Sequence, residues 1–199
     1  MWTVKAWIFR CLVLAATGLF LYSWFIPLWG LDVAILRPNA VLVRSWGEEL
    51  FLGDLASMVS LPTMPAFFAP LLWTYLVLSV VLLLSSLLLK EKILSLGRFK
   101  LSLQQAIIGG VGFAHLIFAA VAAIMISVNL GQFDVKGVTV PLQGTVVLDF
   151  GMPYTGPVTS SLRLGYWLAW GNGILLITLA LLRNKIVGIK SNSVGSGIL

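Results

Sequence analysis

The single histidine of this chain, His115, stands near the middle of an unbroken apolar run, Leu103 to Val128. An ionisable side chain in such a run is costly, so it is a functional candidate by default: a metal or haem ligand, or a proton relay. Ligation needs further donors. There is no second histidine, and the only cysteine, Cys11, lies at the opposite end of the first apolar run. A haem or zinc set would have to be completed by another chain, so the sequence by itself implies no cofactor and no metal. The simpler role for His115 is a neutral imidazole hydrogen-bonded within a helix bundle. Counted inward from the ends of their runs, Thr17, Ser79, His115 and Asn172 fall at similar depth. Interhelical bonds between such groups are worth ~0.6–2 kcal/mol each.

Other chemistry is thinly represented. Asp32, Glu48, Glu49, Asp54, Asp134 and Asp149 are scattered and lack the spaced oxygens of a calcium loop. No GxSxG, HExxH, P-loop or GxGxxG pattern occurs, so catalysis confined to this chain is not expected. A lone cysteine excludes an internal disulfide.

Small residues are the other regular feature. Ala106, Gly110 and Ala114 recur at four-residue spacing, Ala119 and Ala123 repeat it, and so do Gly165, Ala169 and Gly173. On a helix each series makes a flat strip that admits a close neighbour. The strips predict that the third and fourth runs pack on each other or on a partner. A pore would need polar lining that the chain mostly lacks.

These residues must be positioned by membrane helices. The 199 residues are 59% hydrophobic and 10% charged, with mean hydropathy +1.02, whereas soluble domains carry about 25% charge. Four runs reach the ~20 residues that a helical span needs: 6–29, 67–89, 103–128 and 164–182. The expected fold is an all-α membrane domain, a four-helix bundle, with outer loops at 30–66 and 129–162. The first run follows Lys5 and Arg10 but exceeds a signal-peptide core and lacks a small-residue cleavage site, so it reads as a retained helix. Trp24, Pro27 and Trp29 mark its outer end. Pro70 suits the first turn of the second helix. The Ser/Gly-rich tail, 191–199, reads as mobile.

Each outer loop predicts strands. Val33–Leu36 and Val41–Val43 flank the turn-like Arg37-Pro38-Asn39-Ala40, and Leu50-Phe51-Leu52 forms a further short β run. Val138–Val140 and Thr145–Leu148 flank Pro141-Leu142-Gln143-Gly144 in the same way. The two hairpins are expected to join in one small extracytoplasmic sheet of about four strands. The stretch 90–100 reads as a plain link.

Charge sets the sidedness. Lys5, Arg10, Lys90, Lys92, Arg98, Lys100, Arg183, Lys185 and Lys190 lie in the N-terminus, the link and the tail, against Glu91 alone. The two long loops together carry four basic residues (Arg37, Arg44, Lys136, Arg163) against the six acids named above. The positive-inside rule then puts both termini in the cytoplasm and both long loops outside. Once these basic residues are assigned to lipid headgroups, no face remains for nucleic acid.

This layout resembles the claudin-like tetraspan architecture, through Trp29-Gly30-Leu31, Val33–Leu36, Val41–Val43, Val138–Val140 and Thr145–Leu148. The resemblance implies four membrane helices and an outer sheet. Claudins carry Gly-Leu-Trp and a cysteine pair in the first loop. Here the order is Trp-Gly-Leu and the loop has no cysteine, so no junction-forming role is implied.

The leading expectation is a non-catalytic accessory or structural subunit, or assembly partner, of a larger membrane complex. Its partners are lipids and other subunits or copies of itself. A cofactor-binding redox subunit using His115 with another chain's ligands is the second reading. A small transporter or channel is the third, disfavoured by spans without acids and with no base beyond Arg10.

Overall fold

A computed structural model describes residues 4–53, 65–89, 93–96, 99–132, 134–135, 137–149, 151 and 155–188. The tail at 191–199 lies outside the described residues. Four helices form: α1 (Val4–Phe25), α2 (Phe68–Leu88), α3 (Leu103–Gln132) and α4 (Leu164–Val187). All four are long and apolar enough to cross a membrane. Length and composition thus mark an integral membrane protein with a tetraspan layout. Phe113, Ile124 and Leu181 are all at least 60% exposed on the helices' outer flanks, which hydrocarbon tolerates and water does not. The helix ends differ modestly from expectation. α1 stops at Phe25, because Pro27 breaks the helix and Trp29 already enters a strand, while α4 continues through Val187 to a left-handed cap at Gly188.

Between α1 and α2 the chain forms β1 (Trp29–Val33), β2 (Arg37–Arg44) and β3 (Gly47–Leu50). Between α2 and α3 stand β4 (Ile93–Leu96) and β5 (Phe99–Ser102), an antiparallel pair where a plain link was expected. The second long loop carries β6 (Asp134–Val135), β7 (Val138–Thr139), β8 (Gly144–Asp149) and β9 (Thr155–Leu162). A five-stranded antiparallel sheet in the order β3-β2-β1-β9-β8 unites the two long loops at one end of the bundle. At the other end the beginning of α1 meets the end of α4, where Lys5 lies against Gly188.

Both hairpins depart from expectation in pairing. In the first, the turn falls at 34–36, and Arg37-Pro38-Asn39-Ala40 belongs to β2. Pairing of β1 with β9 holds Trp29–Val33 extended, and Leu36 N–H closes the turn on the Val33 carbonyl. Asn39, at φ 56°, takes up the irregularity, and its N–H donates to Asp32 Oδ1 at 2.6 Å. In the second loop, β8 pairs with β9 rather than with 138–140, and β7 pairs with β6. Gly156-Pro157 conceals β9 in the sequence. Pro157 is tolerated because its carbonyl and absent N–H face the side where β1 has ended, with only Ala34 N–H reaching that carbonyl at 3.1 Å.

The inner sheet face supplies its own core. Trp29, Leu31 and Val33 of β1 alternate inward with Val158 of β9 and pack on Ile126 and Leu130 at the sheet end of α3. A second core, with Phe9, Val13, Leu83, Ile108 and Leu176, joins all four helices towards the termini.

Candidate functional site

Three groups of residues carry the architecture: a seam, a mid-bundle cluster and a clamp under the sheet. The seam lies between α3 and α4. A Cβ on Gly112 would lie 2.9 Å from the Gly173 carbonyl oxygen and 3.0 Å from the Ile177 nitrogen, and one on Gly173 would meet Leu116 Cδ2 at 2.6 Å. Only glycine allows this approach. Gly109 adds a contact on Ala180. Of the residues singled out in the sequence, Gly173, Ala119 and Ala169 are buried, Ala106, Ala114 and Ala123 are half-buried, and Gly110 faces open space. Gly165 instead packs on the Ile26 and Pro27 carbonyls where α1 ends. The seam is locked at its termini end by a pair that sequence reasoning missed. Ser102 and Gln105 form a capping box at the start of α3, and Gln105 Nε2 donates to the Ala180 carbonyl at 3.0 Å. Arg183 is 4% exposed, its Nε donating to Gln104 Oε1 at 2.7 Å. Ser-x-x-Gln before an apolar run was the signal.

The mid-bundle cluster surrounds His115, which is 1% exposed. Its Nδ1 shares a hydrogen bond with Tyr75 Oη of α2 at 3.3 Å, and Ser79 lies buried one turn further along the same helix. Phe20 stands over the imidazole at 4.5 Å between centroids, and Phe118 lies parallel to it at 5.7 Å. Nε2 finds no partner. The structure therefore pairs His115 with Tyr75, one turn from Ser79 on α2. It does not bring the other two mid-depth groups to them: Thr17 Oγ1 donates to Val13 within its own helix, and Asn172 is fully buried with both amide atoms unpartnered. Among the described residues no three His, Cys, Asp or Glu side chains gather as a metal site. An outside group reaches the ring only by opening the helices.

The clamp joins the two loops to the bundle. Arg163, just before α4, places Nη2 2.8 and 2.7 Å from the two oxygens of Asp32 in β1. Its guanidinium lies across Gly30, where a Cβ would sit 2.6 Å from Nε. Trp29 donates its indole N–H to the Leu142 carbonyl at 2.8 Å, and Leu31 fills the core between sheet and helices. Each residue of Trp29-Gly30-Leu31 thus has a separate structural task. Backbone bonds from Arg163 to Leu28 and from Gly165 to Pro27 stitch the end of α1 to the start of α4. Nearby, Arg44 is held by both Glu49 oxygens, at 2.6 and 3.1 Å, while Nη1 donates to Phe25 O. That bond satisfies one of the carbonyls left free at the end of α1. Phe25, Trp46 and Trp73 pack as an aromatic group at this level, as expected where hydrocarbon meets headgroups.

No protein-family model matches the chain, and neither curated proteins nor solved structures gave a match. What stands is the tetraspan architecture itself, four membrane-length helices and a small antiparallel sheet.

Proposed function

We propose that this is a non-catalytic membrane protein that serves as a structural or accessory partner in a larger membrane assembly. Its five-stranded sheet would be the surface presented outside, with both termini in the cytoplasm. The observation that carries the reading is the clamp. Asp32–Arg163, the fit of Gly30 beneath it and the β1–β9 pairing fix a sheet drawn from two distant loops onto the helix ends. A mobile lid or gate would not be tied in this way; a presenting platform is. The imidazole of His115, 1% exposed and held by Tyr75, fits the same reading as a structural group. The likeness to claudin-like tetraspans extends to the four spans and the two-loop sheet, and we attach no junction-forming role to it.

Purification in mild detergent, with every co-purifying chain identified, tests the assembly role. Stoichiometric recovery of another membrane protein, or of a defined homo-oligomer, is expected; a lone monomer under all mild conditions would contradict it. Introduced cysteines test the sidedness. Asn39 and Gln143 should react from outside intact cells and Ser95 should not.

A further inference from the structure

The five-stranded sheet has two edges, β3 and β8. β3 is four residues long and carries Glu48 and Glu49, the short, charged form that discourages further pairing. β8 has neither defence. Gly144-Thr145-Val146-Val147-Leu148 is uncharged and without proline, and β-branched residues fill its middle. Asp149, at its end, is turned back to the Gly151 N–H and the Thr155 hydroxyl. Backbone parity shows what this strand leaves open. The Pro157 carbonyl accepts from Ala34, on the β1 side of β9, so Val147, which stands opposite Pro157, directs its own N–H and C=O away from β9. Thr145, two residues back, points the same way. None of these backbone groups finds a partner among the described residues. Val147 is 63% exposed, and Thr145 is exposed as well. Such an edge is a template for another strand.

Charge and register narrow the occupant. A self-paired edge brings identical groups together about a two-fold axis, so it has to be free of charge and match itself. β8 meets both conditions. With the axis at Val146, Thr145 of one copy stands opposite Val147 of the other, and every outward N–H and C=O of the two residues is bonded. The Asp149 carboxylates stay outside this pairing. Thr145 and Val147 share the exposed face of the strand, where a cross-strand β-branched pair adds stability. The same operation on β3 would draw the glutamates of two copies together. We propose that β8 pairs antiparallel with β8 of a second copy of this chain, making one continuous sheet across a homodimer. This rests on the reading of the protein as an assembly partner, and it identifies one such partner.

Disulfide trapping of the full chain in mild detergent, with Cys11→Ser as background, tests this. Val146→Cys should give a disulfide-linked dimer on mild oxidation, because facing residues of a non-hydrogen-bonded antiparallel pair have Cα atoms about 4.5 Å apart, within disulfide reach. Leu50→Cys, on β3, should not. Adding Val147→Lys should lower the linked fraction roughly tenfold, since the two added ammonium groups stand diagonally across the axis. Val147→Pro, which removes an outward N–H and no β8–β9 bond, should do the same, whereas Val147→Thr should preserve the link. Native mass spectrometry should find dimers of the native chain and monomers of Val147→Lys. Equal linking through Leu50→Cys, a dimer indifferent to Val147→Lys and Val147→Pro, or its loss in Val147→Thr would overturn the proposal. Recovery of another membrane protein with a monomeric chain would also overturn it while leaving the assembly role intact. A lone monomer under every mild condition would contradict both.

Discussion

The clamp beneath the sheet and the cluster around His115 satisfy their polar groups to different degrees, although the clamp too leaves one buried donor, Arg163 Nε, without a partner. At the clamp, Asp32 receives both contacts from Arg163 and a backbone N–H from Asn39, so its carboxylate is well supplied. At mid-bundle, His115 has one long bond and a free Nε2, and Asn172 has none. Groups near the headgroup level can form charged pairs because water and backbone share the desolvation. Deeper, where each charge would be stranded, the chain uses neutral groups enclosed by aromatic rings and glycine contacts. The comparison locates stability in the clamp and the seam. The polar interior contributes little.

The largest effect should come from the tightest backbone approaches. Gly165→Val or Gly112→Val forces a side chain into the Ile26 and Pro27 carbonyls or into α4, and should destabilise the protein by about 3 kcal/mol. Thermal unfolding in detergent reads this directly, with Gly110→Val as a near-silent control, because nothing lies within 4 Å of that position.

Next comes the clamp. Asp32→Ala leaves the Arg163 guanidinium without its carboxylate. Because the pair is about a third exposed, the loss should be about 1–2 kcal/mol, between surface and buried ion pairs. It should also show faster hydrogen exchange in β1 and β9 and unchanged exchange along α2.

His115→Leu should loosen the bundle by ~1 kcal/mol, and His115→Gln by less, since an amide can still meet Tyr75. A visible absorption band or bound metal that vanishes in His115→Gln would reverse the ordering of the two regions and make the cluster a ligand site. The smallest change sharpens the comparison by its sign. Asn172→Leu should be neutral or stabilising by up to ~1 kcal/mol, because it removes an unpartnered buried amide. Loss of stability would mean that the Asn172 amide is bonded within the bundle.

The helices were legible because composition and run length decide them. The sheet was legible only in part. Val41–Val43 and Thr145–Leu148 announce strands through β-branched residues, but partner choice is non-local. β9 is hidden behind Gly156-Pro157, and Asp32 and Arg163 meet across 131 residues of chain. The small-residue strips show a different limit. Adjacent helix positions differ by about 100° in direction, so Gly109 and Gly110 both look like packing residues, and only the neighbouring helix chooses between them. Tyr75 was missed as the partner of His115 because the groups matched to it were those at equal depth, and Tyr75 lies one turn nearer the sheet than Ser79. Trp29-Gly30-Leu31 was visible as a motif, but the guanidinium that lies across its glycine was not.

The central claim is that the sheet is fixed to the bundle as one rigid platform. Pulsed electron-spin distance measurement tests it most directly, with labels on Thr145 of β8 and Leu181 of α4, both exposed, in vesicles where labelled chains are diluted among unlabelled ones, and with the exposed Cys11 replaced by Ser. The account predicts one narrow distance distribution in the native chain, broadened by Asp32→Ala. A broad or multiple distribution in the native chain would contradict it.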